Sequence, residues 1–166
     1  MTGGGTRSLL FDVFVLAQRI RRLLSAAMAS SPLRPEEYAV YSEVFEQEAV
    51  SPTALAATLG MPLTTVAEYI RSMDARRHVR RVAHPRDGRS YVLVLTAEGL
   101  RAHREANRSF ERAYRLFVDG LPQGESAARR AVRDLLHAAE RAEVTGGTDP
   151  KPAARSGGPH RRVGRS

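Results

Sequence analysis

Residues 51–96 read SPTALAATLGMPLTTVAEYIRSMDARRHVRRVAHPRDGRSYVLVLT. Ser51 before Pro52 is a helix cap followed by a proline suited to the first helical position. A short helix to Leu59 follows, with Leu55 and Leu59 inward and the small Ala56 where two helices cross. Gly60 can take the left-handed conformation that ends a helix. Pro62 then suits the start of a second helix, on which Val66, Ile70 and Met73 recur at helical spacing. Leu63, Thr64, Ala67, Glu68 and Arg71 lie towards its other side. His78 to Ala83 is a candidate strand, and Tyr91, Leu93 and Leu95 alternate on its return partner. Pro85, Asp87 and Gly88 supply the turn between them. Two helices, a tight turn and a basic hairpin predict a helix-turn-helix with a β-hairpin wing. Such a unit places one helix in the major groove of DNA and a basic loop against its backbone or minor groove.

The charge pattern agrees. From Arg34 to Gly60 the charged residues are Arg34, Glu36, Glu37, Glu43, Glu46 and Glu48. From Met61 to Ser90 they are Arg71, Arg76, Arg77, Arg80, Arg81, Arg86 and Arg89 against Glu68, Asp74 and Asp87. The sign reverses where the reading head begins. The formal net charge is +8, which favours an anionic partner. Lys151 is the only lysine; arginine suits bidentate contacts to phosphate and guanine. Codon bias in a GC-rich genome is the alternative source of that preference.

Outside the reading head the pattern is helical. Leu10, Val13, Phe14, Ala17, Leu24 and Met28 form one stripe from Ser8 to Met28. Ser31, Pro32 and Pro35 break it. A second helix runs from Pro35 to about Gln47, with Glu36 and Glu37 at its N-terminus and Tyr38, Tyr41, Val44 and Phe45 on one face. Thr96 caps a long helix to about Val118, with Glu98 in its first turn. A last helix covers about Glu125 to Glu143, with Val132, Leu135, Leu136 and Ala139 apolar. Residues 1–6 are rich in Gly and residues 145–166 in Gly, Pro, Ser and Arg, and both segments are expected to be disordered. The fold class is therefore mainly α with a small β-hairpin. One domain spans about 7–144, with its DNA-binding part at about 51–96.

Other chemistry is poorly represented. With no cysteine, disulfides, thiolate zinc sites and thiol redox sensing are excluded. No apolar run approaches a membrane span; Asp12 interrupts Leu9 to Ile20, and no signal peptide is expected. Nucleophile elbows, phosphate-binding glycine loops and dinucleotide fingerprints are absent. No enzyme, metal or cofactor is expected, and the location is expected to be cytoplasmic. His78, His84, His103, His137 and His160 show no pair at i, i+4 and are expected mostly at the surface.

Leu33 and Pro35, the LAATLGMPLTTV segment, the DGR of the wing and the LTAEG opening the long helix together resemble the MarR family of winged-helix transcriptional regulators. The match is gap-free from about Leu55 to Gly99, and the flanking helices agree in order and length. The resemblance implies a homodimer through helices at about 8–29 and 97–143, with Leu10, Val13, Phe14, Ala17, Val132, Leu135 and Leu136 at the interface. It also implies a near-palindromic operator on double-stranded DNA and a role as repressor. Its DNA-binding positions here are Thr53, Leu63, Thr64, Thr65, Ala67, Glu68, Arg71, Arg80, Arg81, Arg86 and Arg89, with Arg89 in the minor groove and Asp87 orienting it. Relatives often carry Arg or Ser where Leu63, Ala67 and Glu68 stand, and Ser where Pro62 stands. Glu68 either accepts from a cytosine amine or pairs with Arg71 or Arg76. Relatives often have Gly where Arg77 stands, so a left-handed turn there would be strained. A small aromatic or phenolic effector is implied, with Phe14, Arg21, Tyr38, Tyr41 and Phe45 as pocket residues. Two other readings stay open: a winged-helix protein-interaction module, and a nonspecific, nucleoid-like DNA binder.

Overall fold

The computed structural model describes residues 8–84 and 87–146, with the side chains of residues 84–89 outside the description. The expected disorder of residues 1–6 and 147–166 therefore lies outside the described residues, while residues 145 and 146, also expected to be disordered, are helical. The chain divides into one unit up to Gly120 and a second from Leu121.

In the first unit α1 spans Leu9–Ala27, capped by Ser8, whose hydroxyl accepts from the Phe11 amide at 3.2 Å. Helix α2 spans Pro35–Glu46 with Pro35 in its first turn. Helix α3 spans Pro52–Leu59, capped by Ser51 Oγ on the Ala54 amide. It ends at Gly60, whose φ of 60° no residue with a Cβ adopts freely. Helix α4 spans Leu63–Ala75. Pro62 sits just before its first turn rather than within it, with ψ of 140° and its carbonyl accepting from the Val66 amide. Strands β1 (Val79–His84) and β2 (Asp87–Leu95) pair antiparallel, Val79 opposite Leu95 and Ala83 opposite Tyr91. Helix α5 spans Ala97–Asp119; Thr96 Oγ1 accepts from the Gly99 amide. Gly99 is required by close approach: a Cβ there would stand 2.0 Å from the His78 carbonyl oxygen.

The core gathers under α2. Tyr41, Val40 and Val44 are fully buried with Leu33, with Leu55 of α3, with Val66 and Met73 of α4 and with Leu93 of β2. Helix α2 touches α1, α3, α4, α5 and β2. Two details depart from expectation. Val50 exchanges both backbone hydrogen bonds with Leu93, adding a one-residue third strand. Val92, facing away from Leu93 and paired with Val82, is also buried, so the hairpin has no simple wet face.

The second unit is α6, Gly124–Gly146, on which Glu125 and Arg129 form an ion pair one turn apart. Among the described residues no helix is long and apolar enough to cross a membrane.

Candidate nucleic-acid interface

Helix α4 divides cleanly along its axis. Val66, Ile70 and Met73 are buried. Thr64, Ala67, Glu68 and Arg71 are exposed, Leu63 is 51% exposed and Thr65 half-buried. Thr53 is exposed near the start of α3. Glu68 lies 3.9 Å from Arg71, with both side chains 71% exposed. A pair that open to water contributes little and leaves both groups available to a partner. Glu68 is not the partner of Arg76. Arg76 Nη2 donates to Glu37 Oε1 at 2.7 Å, and the Arg34 amide donates to Glu37 Oε2 at 3.1 Å. Burial pushes the Glu37 carboxyl up. The hydrogen bonds from Arg34 and Arg76 and the charges of both arginines outweigh it and hold the group below its usual range. Glu37 is thus more than a capping residue: it ties the start of α2 to the end of α4.

That end of α4 turns through Arg77 at φ 58°. The Arg77 amide donates to the Asp74 carbonyl and the His78 amide to the Met73 carbonyl, a Schellman ending built without glycine. Thr96 Oγ1 donates to the Arg77 carbonyl at 2.7 Å. The strained residue is held on both sides, which accounts for an arginine at a glycine-type position.

Arg80 and Arg81 are both exposed, but as neighbours on β1 they leave opposite faces of the hairpin. Arg81 Nη2 is 3.5 Å from Asp74 Oδ2, and its guanidinium lies 4.9 Å from the centre of the Tyr91 ring. It braces the base of the hairpin against α4 and is less free for phosphate than Arg80. The side chains of Arg86, Asp87 and Arg89 lie outside the described residues.

The five effector-pocket residues stand in different settings. Phe14 and Arg21 are exposed on α1. Tyr41 is 1% exposed, within hydrogen-bond distance of His78 Nδ1 at 2.9 Å, and burial pushes its hydroxyl up to about 12. Tyr38 donates to Asn107 Oδ1 at 2.6 Å and stacks on His103. A groove of about 360 Å³ is lined by Val44, Phe45, Glu46, Glu48, Val94, Leu95 and Leu100, and shares only Phe45 with that set. His103 is not a surface histidine. It is buried on the face of α5 that packs on α2, where Ala102 and Ala106 are small enough to bring the helices together. Among the described residues no group of His, Asp or Glu is arranged to hold a metal ion.

The interface residues divide by exposure. Leu10 (82%) and Phe14 (59%) stand out on α1, with Ala17 exposed and Val13 half-buried. Leu9, Phe11 and Leu16 are exposed beside them, as are Leu116 and Phe117 at the end of α5. The helical stripe read from the sequence had missed these. On α6, Val132 and Leu136 are exposed and Leu135 half-buried.

No protein-family model and no curated protein matches the chain. Solved structures do. The PcaV transcriptional regulator from Streptomyces coelicolor, in complex with its natural ligand, is 22% identical; the match covers 84% of this chain and 99% of that one at a TM-score of 0.62. BpsR of Bordetella bronchiseptica, whose DNA binding is regulated by 6-hydroxynicotinic acid, is 20% identical over 84% and 98% at 0.68. A mutant MarR from E. coli complexed with operator DNA is 15% identical over 77% and 93% at 0.68. The chain therefore has the MarR-type winged-helix fold, a bundle of helices carrying one antiparallel hairpin.

Proposed function

We propose that this chain is a cytoplasmic, non-catalytic transcriptional regulator, a homodimer that binds a near-palindromic operator and acts as a repressor. One observation carries the reading. Helix α4 is fixed to the core along one side and presents the whole of its other side next to a braced, arginine-bearing hairpin. A helix in that position fits the major groove, and a hairpin beside it fits the flanking backbone. The operator-bound MarR supports the same use of this fold.

The exposed apolar residues Leu9, Leu10, Phe14 and Leu16 of α1 support dimerisation through that face. A two-fold pair of reading heads would meet successive major-groove faces about 34 Å apart. Thr64 hydrogen-bonds a base edge or phosphate, Leu63 or Ala67 touches a thymine methyl, and Arg71 and Arg80 neutralise phosphate. Arg86 and Arg89 extend the contact, Arg89 into the minor groove. A small aromatic or phenolic acid releases the protein; the regulation of BpsR DNA binding by 6-hydroxynicotinic acid supports an effector of that kind. Such an acid acts only through different affinities for the DNA-competent and incompetent forms.

The test is enrichment of genomic DNA by the purified protein, then a mobility shift on the enriched fragment with unrelated competitor DNA. Selective binding of one dimer per palindrome is expected. Equal affinity for all sequences would replace the regulator with a nonspecific binder. No binding at low salt would favour a protein-interaction module, for which the exposed Leu63 is the supporting feature.

A further inference from the structure

His103 lies on the inner face of α5, 6% exposed, in a slot made by α2. Its ring stacks on Tyr38 at 5.4 Å and tilts against Phe45 at 4.7 Å. Nε2 shares a 3.1 Å hydrogen bond with Ser42 Oγ. Nδ1 is buried and has no hydrogen-bond partner among the described residues. A neutral imidazole fits such a slot, with one nitrogen bonded and the other unmet. An imidazolium carries two N–H donors, and here one of them would face no acceptor. Its charge would sit in a slot that leaves the residue only 6% exposed.

The charged groups around it do not compensate. Glu46, in the last turn of α2, favours the charged form; Arg104, next to His103 on α5, opposes it. The Tyr38 phenol is neutral and already donates to Asn107. Burial and Arg104 outweigh Glu46 and hold His103 below its usual value of 6.5. We propose that His103 is a built-in pH switch: taking up a proton there drives α2 and α5 apart. Because α2 also touches α3, α4 and β2, loosening that seam frees the reading head from the helix that carries it. The consequence for DNA rests on the function proposed above; the opening of the seam does not.

The sign follows from linkage. A histidine depressed in the folded state leaves the seam intact above pH 6.5. Below it the opened form takes up the proton first, and protection is lost progressively as pH falls through the folded value. His78 is lowered as well, by burial and by Arg76, so the experiment must isolate His103. The variant His103→Phe keeps a ring between Tyr38 and Phe45 and cannot be protonated.

Amide exchange of α2 and α5 is compared at pH 7.5 and 5.5, corrected for intrinsic rates, in the wild type and His103→Phe. The wild type is expected to lose up to about tenfold in protection, because pH 5.5 lies about one unit below the ordinary histidine value; the variant, which keeps the lowered His78, is expected to lose severalfold less. Equal losses in both would overturn the proposal. Should the variant fail to fold, NMR titration of the His103 ring in the wild type decides, and a midpoint at or above 6.5 overturns it. Binding of the enriched genomic fragment at the two pH values is the second arm. Loss in the wild type, retained binding in the variant, is expected. An open seam with unchanged affinity would overturn the link to the reading head, whereas a protein binding no fragment at either pH refutes the regulator and leaves the exchange result to decide the switch.

Discussion

Helices α1 and α4 are comparably amphipathic by sequence, yet they end in opposite situations. Helix α4 seats Val66, Ile70 and Met73 in its own chain's core and shows solvent mostly polar groups. Helix α1 buries no residue fully and leaves Leu9, Leu10, Phe11, Phe14 and Leu16 exposed. A helical apolar stripe states that a partner surface is needed; it does not state which molecule supplies it. The reading head has found its partner within the chain. Helix α1 packs on α5 and α2 along part of its surface but leaves Leu10 and Phe14 exposed, which is why a second copy is proposed for them.

The comparison is broken most directly by truncating one residue on each helix. Met73→Ala should cost about 3 kcal/mol in urea denaturation of the head, from lost burial and the cavity left behind. Phe14→Ala should change the stability of the isolated monomer by less than about 0.5 kcal/mol. Similar losses in both would mean that α1 is as deeply packed as α4. Charging the α1 face sharpens the point. Leu10→Asp with Phe14→Asp should weaken self-association at least about a hundredfold, roughly 2.8 kcal/mol, in sedimentation velocity. Unchanged sedimentation would remove α1 from any dimer contact.

Smaller effects test how the head is held. Glu37→Gln should cost about 2 kcal/mol. That is less than breaking a fully buried ion pair, because a third of the Arg76 side chain is open to water. Glu37 is depressed in the fold, so its contribution is present above its unfolded value, about 4.3, and lost as pH falls through the folded one. Acid unfolding of the wild type and the variant should therefore converge at low pH. Thr64→Ala should cost about 1 kcal/mol in DNA affinity and relax one base position, without moving the urea midpoint. A full sequence preference in that variant would take Thr64 out of the groove. Arg77→Gly should add about 1 kcal/mol of stability by relieving the left-handed residue. A loss instead would mean that the arginine side chain, not the turn, matters there.

The reading head was legible because most of its signals are local. Ser51, Gly60 and Thr96 cap or end helices through backbone groups within a few residues, whereas the turn at Arg77 was anticipated from the glycine that the resembling family often carries there. What escaped notice joins residues far apart. Glu37 looked like a capping residue until Arg76, 39 positions later, was found on its carboxylate. Val50 has no strand pattern around it and pairs only because Leu93 lies alongside. Glu48 also takes a positive φ, of 56°, after a helix that no glycine ends. His103 was read as a surface residue because a lone histidine on a charged helix carries no periodic signal; its neighbours Tyr38, Ser42 and Phe45 are on another helix.

Spacing and turn chemistry determined the order of helices, the hairpin and the polar face of α4, since these depend on a residue and its near neighbours along the chain. Packing in three dimensions decided which charges are free. It assigned Arg76 to Glu37 and Arg81 to Asp74, left Glu68 and Arg71 in water, and enclosed His103 with one nitrogen unmet. A charge's availability depends on what surrounds it, and those surroundings are assembled from segments that periodicity treats one at a time.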